Sequence, residues 1–295
     1  MPGKRQKREP VFPIVEVFGF AADADSNASR QAQAMRWCPF MDTECEKFRQ
    51  YGYGYCSVTY AARADKGDRY TYAVCDHRLD GVPINAAIED YFGPNPVGVE
   101  LVPEVVLTNP RRSFDYTAIR VVNNSIVDAI VIESQAIDLR GGGVGTAWRA
   151  WQDGQPHRWR EYYTEEASSL GRKDTVAYGV NMGNIYKRLG LQVATKGEFL
   201  KRCGVRLYVV MQDRPFNYLF ERIPFAEAEP GETPDITFIT FDYTGEQSQD
   251  GMLNLGFVRK RRTTHARFVE ALNSIVDEDD RDKFLEQVRR KAKLP

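Results

Sequence analysis

What this 295-residue chain lacks narrows its reading before any motif is sought. No run of about 18 apolar residues occurs, so no membrane-spanning helix is expected. The N-terminus carries Lys4, Arg5, Lys7 and Arg8 but not the apolar stretch that follows such charges in a secretory leader, and a cytoplasmic protein is expected. An excess of charge of either sign is lacking too: the formal net charge is −1 at pH 7. Proteins that coat nucleic acid non-specifically are strongly basic, so a nucleic-acid function here has to rest on segregated charge. Basic residues do cluster, at Lys4 to Arg8, Arg111-Arg112, Arg259 to Arg262 and Arg289 to Lys293, while acids gather at Asp277 to Asp282. Any single run of this kind is first of all a solvated face.

Cysteine is scarce, and its five copies are odd in number, which together with the absent leader argues against a disulfide framework. Cys38, Cys45, Cys56 and Cys75 fall in one N-terminal stretch, and Cys203 stands alone. Four thiolates complete a tetrahedral shell around zinc or iron. No paired C-x-x-C is present, so spacing alone leaves a metal site and ordinary buried cysteines both open. Cys203 reads as a small buried hydrophobe.

Along the chain, residues 1–12 read as a disordered basic tail. Pro13 to Phe20 alternates as a short strand, and Asn27 to Trp37 reads as a helix with Ser26 or Asn27 as its N-cap. Tyr55 to Tyr60 and Tyr70 to Val74 form two aromatic strands joined by a polar turn at Ala64 to Asp68, and Asn85 to Tyr91 is helical. Phe92 to Pro96 breaks the chain. The expected division is therefore a subdomain over 13–92 and a larger domain over 93–295. In the latter, Gly98 to Leu107, Ser113 to Val122 and Ser125 to Ile132 read as buried strands, with Asn123-Asn124 as a hairpin turn. Val144 to Trp159 is aromatic with weak periodicity. Asn184 to Lys201 is a helix, Arg206 to Gln212 and Asp235 to Phe241 are strands, and His265 to Val276 and Asp279 to Leu294 are helices. The fold class is α/β (α+β), with a mixed β-sheet flanked by helices.

Chemistry concentrates at the end of the third strand. Alternation places Val127, Ala129, Val131, Glu133 and Gln135 on one face, and Asp128, Ile130, Ile132 and Ser134 on the other. Glu133 and Gln135 therefore project together, while Asp128 faces away. Asp115, one hairpin earlier, can reach Glu133 from an adjacent antiparallel strand. Two acids on neighbouring strands suit a hard, oxygen-loving cation such as Mg²⁺. This is the skeleton of a PD-(D/E)xK nuclease centre with Gln135 in place of the usual lysine; an amide can orient a water but cannot deprotonate it. Glu104 is either a further acid of the centre or an exposed strand glutamate.

Three blocks in this order carry a family resemblance. The first is Cys38-Pro39-Phe40, Cys45, Cys56-Ser-Val58 and Val74-Cys75-Asp-His-Arg78-Leu-Asp80. The second is Phe114-Asp115-Tyr116 with Glu133-Ser-Gln135-Ala-Ile-Asp138. The third is Asn181-Met-Gly-Asn184-Ile-Tyr-Lys187-Arg188, then Gln192 and Arg202-Cys203-Gly204. Together they resemble the NotI family of type II restriction endonucleases, which includes EagI-like enzymes. The resemblance implies a PD-(D/E)xK core with Asp115, Glu133 and Gln135 at its Mg²⁺ centre, and structural iron or zinc on Cys38, Cys45, Cys56 and Cys75. It further implies a homodimer cutting palindromic GC-rich double-stranded DNA to leave 5′ overhangs, beside a cognate DNA methyltransferase. The chain is shorter than NotI, and the region after about residue 215 gives no match. From another class, a non-catalytic DNA-binding protein with a structural four-cysteine metal fits much of the same pattern, as does a related nuclease of repair or mobile elements.

On a helix, Asn184, Lys187, Arg188 and Gln192 lie within about a face and a half. They are candidates for DNA contact over a core-facing Ile185, Leu189 and Val193. Arg140, followed by Gly141-Gly142-Gly143, is a further candidate, since glycine permits close approach to phosphate and arginine reads guanine.

Overall fold

A computed structural model of the chain describes residues 11–61, 68–109, 111–173, 176, 178–274 and 280–292. The expected basic tail therefore lies outside the described residues up to residue 10, as does most of the turn at Ala64 to Asp68. The protein is mixed α/β.

The N-terminal part builds a small sheet. It comprises β1 (Ile14–Val17), β2 (Phe20–Ala21), β5 (Tyr55–Tyr60) and β6 (Tyr70–Ala73), in the order β2-β1-β5-β6. Between them lie α1 (Asn27–Met35), the short pair β3 (Trp37–Cys38) and β4 (Thr43–Glu44), and α2 (Glu46–Tyr51). Ser26 caps α1, its hydroxyl accepting from Ser29 N at 2.9 Å.

The remaining chain forms a six-stranded mixed sheet in the order β14-β13-β12-β9-β8-β7. After α3 (Val82–Phe92), the strands β7 (Val99–Thr108), β8 (Arg111–Val122) and β9 (Ser125–Gln135) run as an antiparallel meander. Asn123 and Asn124 turn its second hairpin with φ of 49° and 59°, the left-handed pair that a tight hairpin requires. The short strands β10 (Leu139–Arg140) and β11 (Gly179–Val180) pair with each other and enclose α4 (Gly143–Gln152) and α5 (Trp159–Ser169). A helical rod follows: α6 (Met182–Asn184), a π-helical turn at Ile185–Leu189, and α7 (Gly190–Arg202). It crosses back to β12 (Arg206–Gln212), which lies parallel to β9. After α8 (Asp213–Phe220), β13 (Ile236–Gln247) adds in parallel and β14 (Leu253–Thr263) closes the edge antiparallel, with α9 (His265–Asn273) and α10 (Asp280–Ala292) last.

Period-two alternation sorts the sheet's side chains between two cores. Val131, Leu207, Val209, Met211, Ile236 and Phe238 pack under the rod residues Ile185, Leu189 and Val193 and against Phe216 and Phe268. Ile130, Ile132, Tyr208, Val210, Ile239 and Phe241 pack on the other face against Ile84 and Ala87 of α3. A third cluster joins Ile14, Val17, Phe18 and Val58 to Val144 and Trp148 of α4. The turn at Phe92 to Pro96 does not divide two cores, because α3 and Leu79, which precede it, share the cluster of the large sheet. Among the described residues, no helix is long and apolar enough to cross a membrane.

Candidate active site

The apolar stretch Ile130–Ile132 buries the middle of β9 between its neighbours, so the strand's C-terminal end emerges at a cleft with its polar residues fixed. The cleft encloses ≈ 220 Å³. Asp115, Glu133, Gln135, Asn184, Arg188 and Gln192 from the sequence reading all line it, joined by Asp76, Asp138 and Lys196. Ser134 N donates to Asp115 Oδ2 at 3.0 Å, which clamps the carboxylate of β8 against the end of β9.

Glu133 is only 7% exposed. Lys196, reaching down from α7, donates to its Oε2 as an ion pair. Oε1 is buried with no hydrogen-bond partner among the described residues. Burial, followed by repulsion from Asp115, pushes the Glu133 carboxyl up to about 7, with Lys196 and, less strongly, the Asp115 backbone N–H opposing. Burial also raises Asp115, against the Ser134 N–H and Lys196.

Lys196 is the functional side chain that the sequence did not reveal. It lies 63 residues from Glu133 and reads there as an ordinary helix lysine beside Gly197. Its ammonium also stands 5.6 Å from the centre of the Phe114 ring. Phe114 is buried against the rod, stacked on Phe199 at 6.0 Å, although alternation from Tyr116 would send it to the α3 face. The strand irregularity sits beside it, where Glu104 adopts φ of 48° between the paired residues Pro103 and Val105.

Glu104 is exposed and outside the cleft wall, although its charge adds to the rise in Asp115. Lys187 and Arg140 are likewise exposed and absent from the wall. Asn184 Nδ2 and an Arg188 nitrogen instead turn onto Asp138 Oδ2, at 2.8 and 3.2 Å. Gln135 donates to the Ala136 carbonyl at 2.6 Å. Asp128 faces α3, accepting from Tyr91 at 2.8 Å. The charge run Arg259 to Arg262 is paired within the fold: Arg259 with Asp213, Lys260 and Arg262 with Asp90, and Arg261 with Glu227.

Cys38, Cys45 and Cys56 are buried, Cys75 is partly so, and Cys203 is exposed rather than buried as expected; all are free thiols. Cys56 accepts the Gly19 N–H at 3.3 Å, and nearby backbone N–H groups, of Phe40 and Met41, of Phe48 and Lys47 and of His77, oppose the rise that burial causes in Cys38, Cys45 and Cys75. Gly19 has φ of 86°, and a Cβ there would fall 2.3 Å from Pro39 Cγ, so the donor to Cys56 sits where only glycine fits. Cys38 lies within electrostatic range of the other three thiols. Burial raises all four, Cys75 to about 12. As placed, however, no three His, Cys, Asp or Glu side chains among the described residues are drawn together as a metal shell. No protein-family model and no curated protein sequence matches the chain.

Proposed function

We propose that this chain is a Mg²⁺-dependent type II restriction endonuclease with a PD-(D/E)xK centre, cutting double-stranded DNA at a palindromic site. The observation that carries the reading is the buried, unpartnered Oε1 of Glu133 beside Asp115 in an acidic cleft. A buried carboxylate oxygen without a donor is costly, and a hard cation is the ligand that satisfies it. Asp115 and Glu133 fit Mg²⁺ as donors from adjacent strands. When bound there, Mg²⁺ would lower the pKa of a water and offset charge on the scissile phosphate.

The chain's own residues supply the rest. Lys196 holds Glu133 in one rotamer and places a positive charge where the phosphate would lie, which compensates for the glutamine in the usual lysine position. Gln135 orients the attacking water. Arg188, Asn184 and Gln192 face the same cleft and would contact the duplex backbone. The order α3-β7-β8-β9-rod-β12, with the acids on the second and third strands, supports the PD-(D/E)xK assignment. Cys38, Cys45, Cys56 and Cys75 have the donor chemistry that zinc or iron takes, although as placed no three described side chains there are drawn together to hold a metal. A second copy of the chain would bring a second cleft to the opposite strand of a palindrome.

The test is digestion of phage DNA with Mg²⁺ and with EDTA. Discrete Mg²⁺-dependent fragments are expected. Random smearing would mean a non-specific nuclease, and intact DNA at protein excess a non-catalytic binder. Glu133→Ala should abolish cutting while DNA binding persists; normal cutting by that variant would show the centre to be elsewhere.

A further inference from the structure

We infer that Arg112 is a phosphate-binding residue beside the acidic cleft, the contact through which the start of β8 takes hold of a DNA strand. The inference rests on the proposed nuclease reading for the identity of the polyanion, and it adds to that reading a residue outside the cleft wall.

The charge of the wall calls for such a contact. It carries Asp76, Asp115, Glu133 and Asp138 against Arg188 and Lys196, so four acids face two bases. Both bases are already engaged, Lys196 with Glu133 and Arg188 with Asp138. A duplex, with one phosphate charge about every 1.7 Å of its axis, is repelled by that wall unless cations stand next to it. The run Arg259 to Arg262 does not serve, because carboxylates of the fold pair with each of its members. Arg111 and Arg112 differ in this respect: neither makes an ion pair or a side-chain hydrogen bond among the described residues.

Arg112 is held without being neutralised. Its guanidinium lies 4.9 Å from the centre of the Phe199 ring of α7, and Phe199 is stacked on the buried Phe114 at 6.0 Å. Each ring of that pair carries one cation, since Lys196 stands 5.6 Å from the Phe114 ring. Lys196 is bound to Glu133, whereas Arg112 keeps its N–H donors for a ligand. A planar fork resting on an aromatic face suits phosphate oxygens, which it meets through two parallel bonds. Position agrees with chemistry. Three residues of strand separate Arg112 from Asp115, about 10 Å at ~3.3 Å per residue. On a DNA strand rising ~3.4 Å per nucleotide, that separation places Arg112 on a phosphate within about three nucleotides of the scissile one. Alternation sends Arg111, opposite Thr108, to the other face of β8, so the two arginines are not equivalent.

Fluorescence anisotropy of a labelled mixed-sequence duplex of about 30 base pairs tests this on the full chain, in EDTA and from about 50 to about 200 mM salt. Arg112→Gln should weaken binding about tenfold at the low-salt end and lower the slope of log affinity against log salt by about one, at an unchanged Tm. Arg112→Lys keeps the charge and should keep the slope, with affinity within about fivefold of the parent. Arg111→Gln should change affinity by about twofold or less. Parental affinity and slope in Arg112→Gln, an equal loss in Arg111→Gln, a lowered slope in Arg112→Lys, or no duplex binding by the parent each overturns the inference. Digestion of phage DNA separates its failure from that of the nuclease reading. Discrete fragments from the parent, with parental binding by Arg112→Gln, leave the reading standing, whereas Arg112-dependent binding by a parent that cuts nothing upholds the phosphate contact and ends the reading.

Discussion

At the scale of single residues, Glu133 is held by Lys196 through one oxygen, while the other is buried with no partner among the described residues. A proton or a cation resolves that state. Its carboxyl is raised from an ordinary 4.5 to about 7, so its contribution to stability is greatest below about pH 4.5 and is lost as pH rises through 7. Mg²⁺ competes with that proton. The gain in Tm on adding Mg²⁺ should therefore be about twofold or more larger near pH 8 than near pH 6, and should vanish in Glu133→Gln. A gain independent of pH would place the cation elsewhere. Lys196→Met removes the ion-pair partner of the buried Glu133 carboxylate. We expect a loss of about 3 kcal/mol near pH 8 and a smaller loss near pH 6, where Glu133 takes up a proton instead, measured by urea unfolding. The pairing of Asp115 with Glu133 was legible in the sequence, because alternation and one hairpin suffice to bring them together. Lys196 was not, because only the helix crossing the sheet delivers it.

Elements differ in how plainly they announce themselves. β12 follows its sequence-based bounds, Arg206–Gln212, since a continuous apolar run admits few alternatives. β14 was missed because Arg259 to Arg262 reads as a solvated charge run. In the fold, alternation sends Lys260 and Arg262 to Asp90 of α3, while Arg259 and Arg261 turn the other way to Asp213 and Glu227. The rod was expected as one helix, and its π-helical turn at Ile185–Leu189 has no signature in the periodicity. Gly197 shows what the rod's packing demands. A Cβ there would lie 3.0 Å from His265 Cδ2, and His265 is pinned by its bond to the Ala194 carbonyl at 2.8 Å. Alanine is the better helix former by about 1 kcal/mol, yet Gly197→Ala should lower stability, by about 1 kcal/mol net, because α7 would be pushed from α9. A rise in Tm for that variant would mean that the contact yields freely.

For the molecule as a whole, five of the large sheet's six strands followed from patterns along the chain, whereas β14 and the sharing of one core across the 92–96 turn did not. Burial of Leu79 and Ile84 against Ile130 is a long-range fact that local composition does not encode. The four N-terminal thiols belong to this scale too, since Cys38 and Cys45 pack in the cluster that joins the small sheet to Val144 and Trp148 of α4. If the thiols hold zinc or iron, as proposed, Cys56→Ser should lose that metal and lower Tm by about 10 °C or more; a parent chain with no transition metal on elemental analysis would end the proposal. Cys203→Ser, at an exposed position outside the cluster, should change stability by less than about 0.5 kcal/mol. The internal pairing of Arg259 to Arg262 also reaches beyond folding, to how the molecule would respond to ionic strength. Cations already matched by carboxylates release no counterions from a docking duplex, so the dependence of DNA affinity on salt should be shallow for a chain this rich in arginine and lysine, and the edge strand that looks most like a polyanion-binding surface should contribute almost nothing to it.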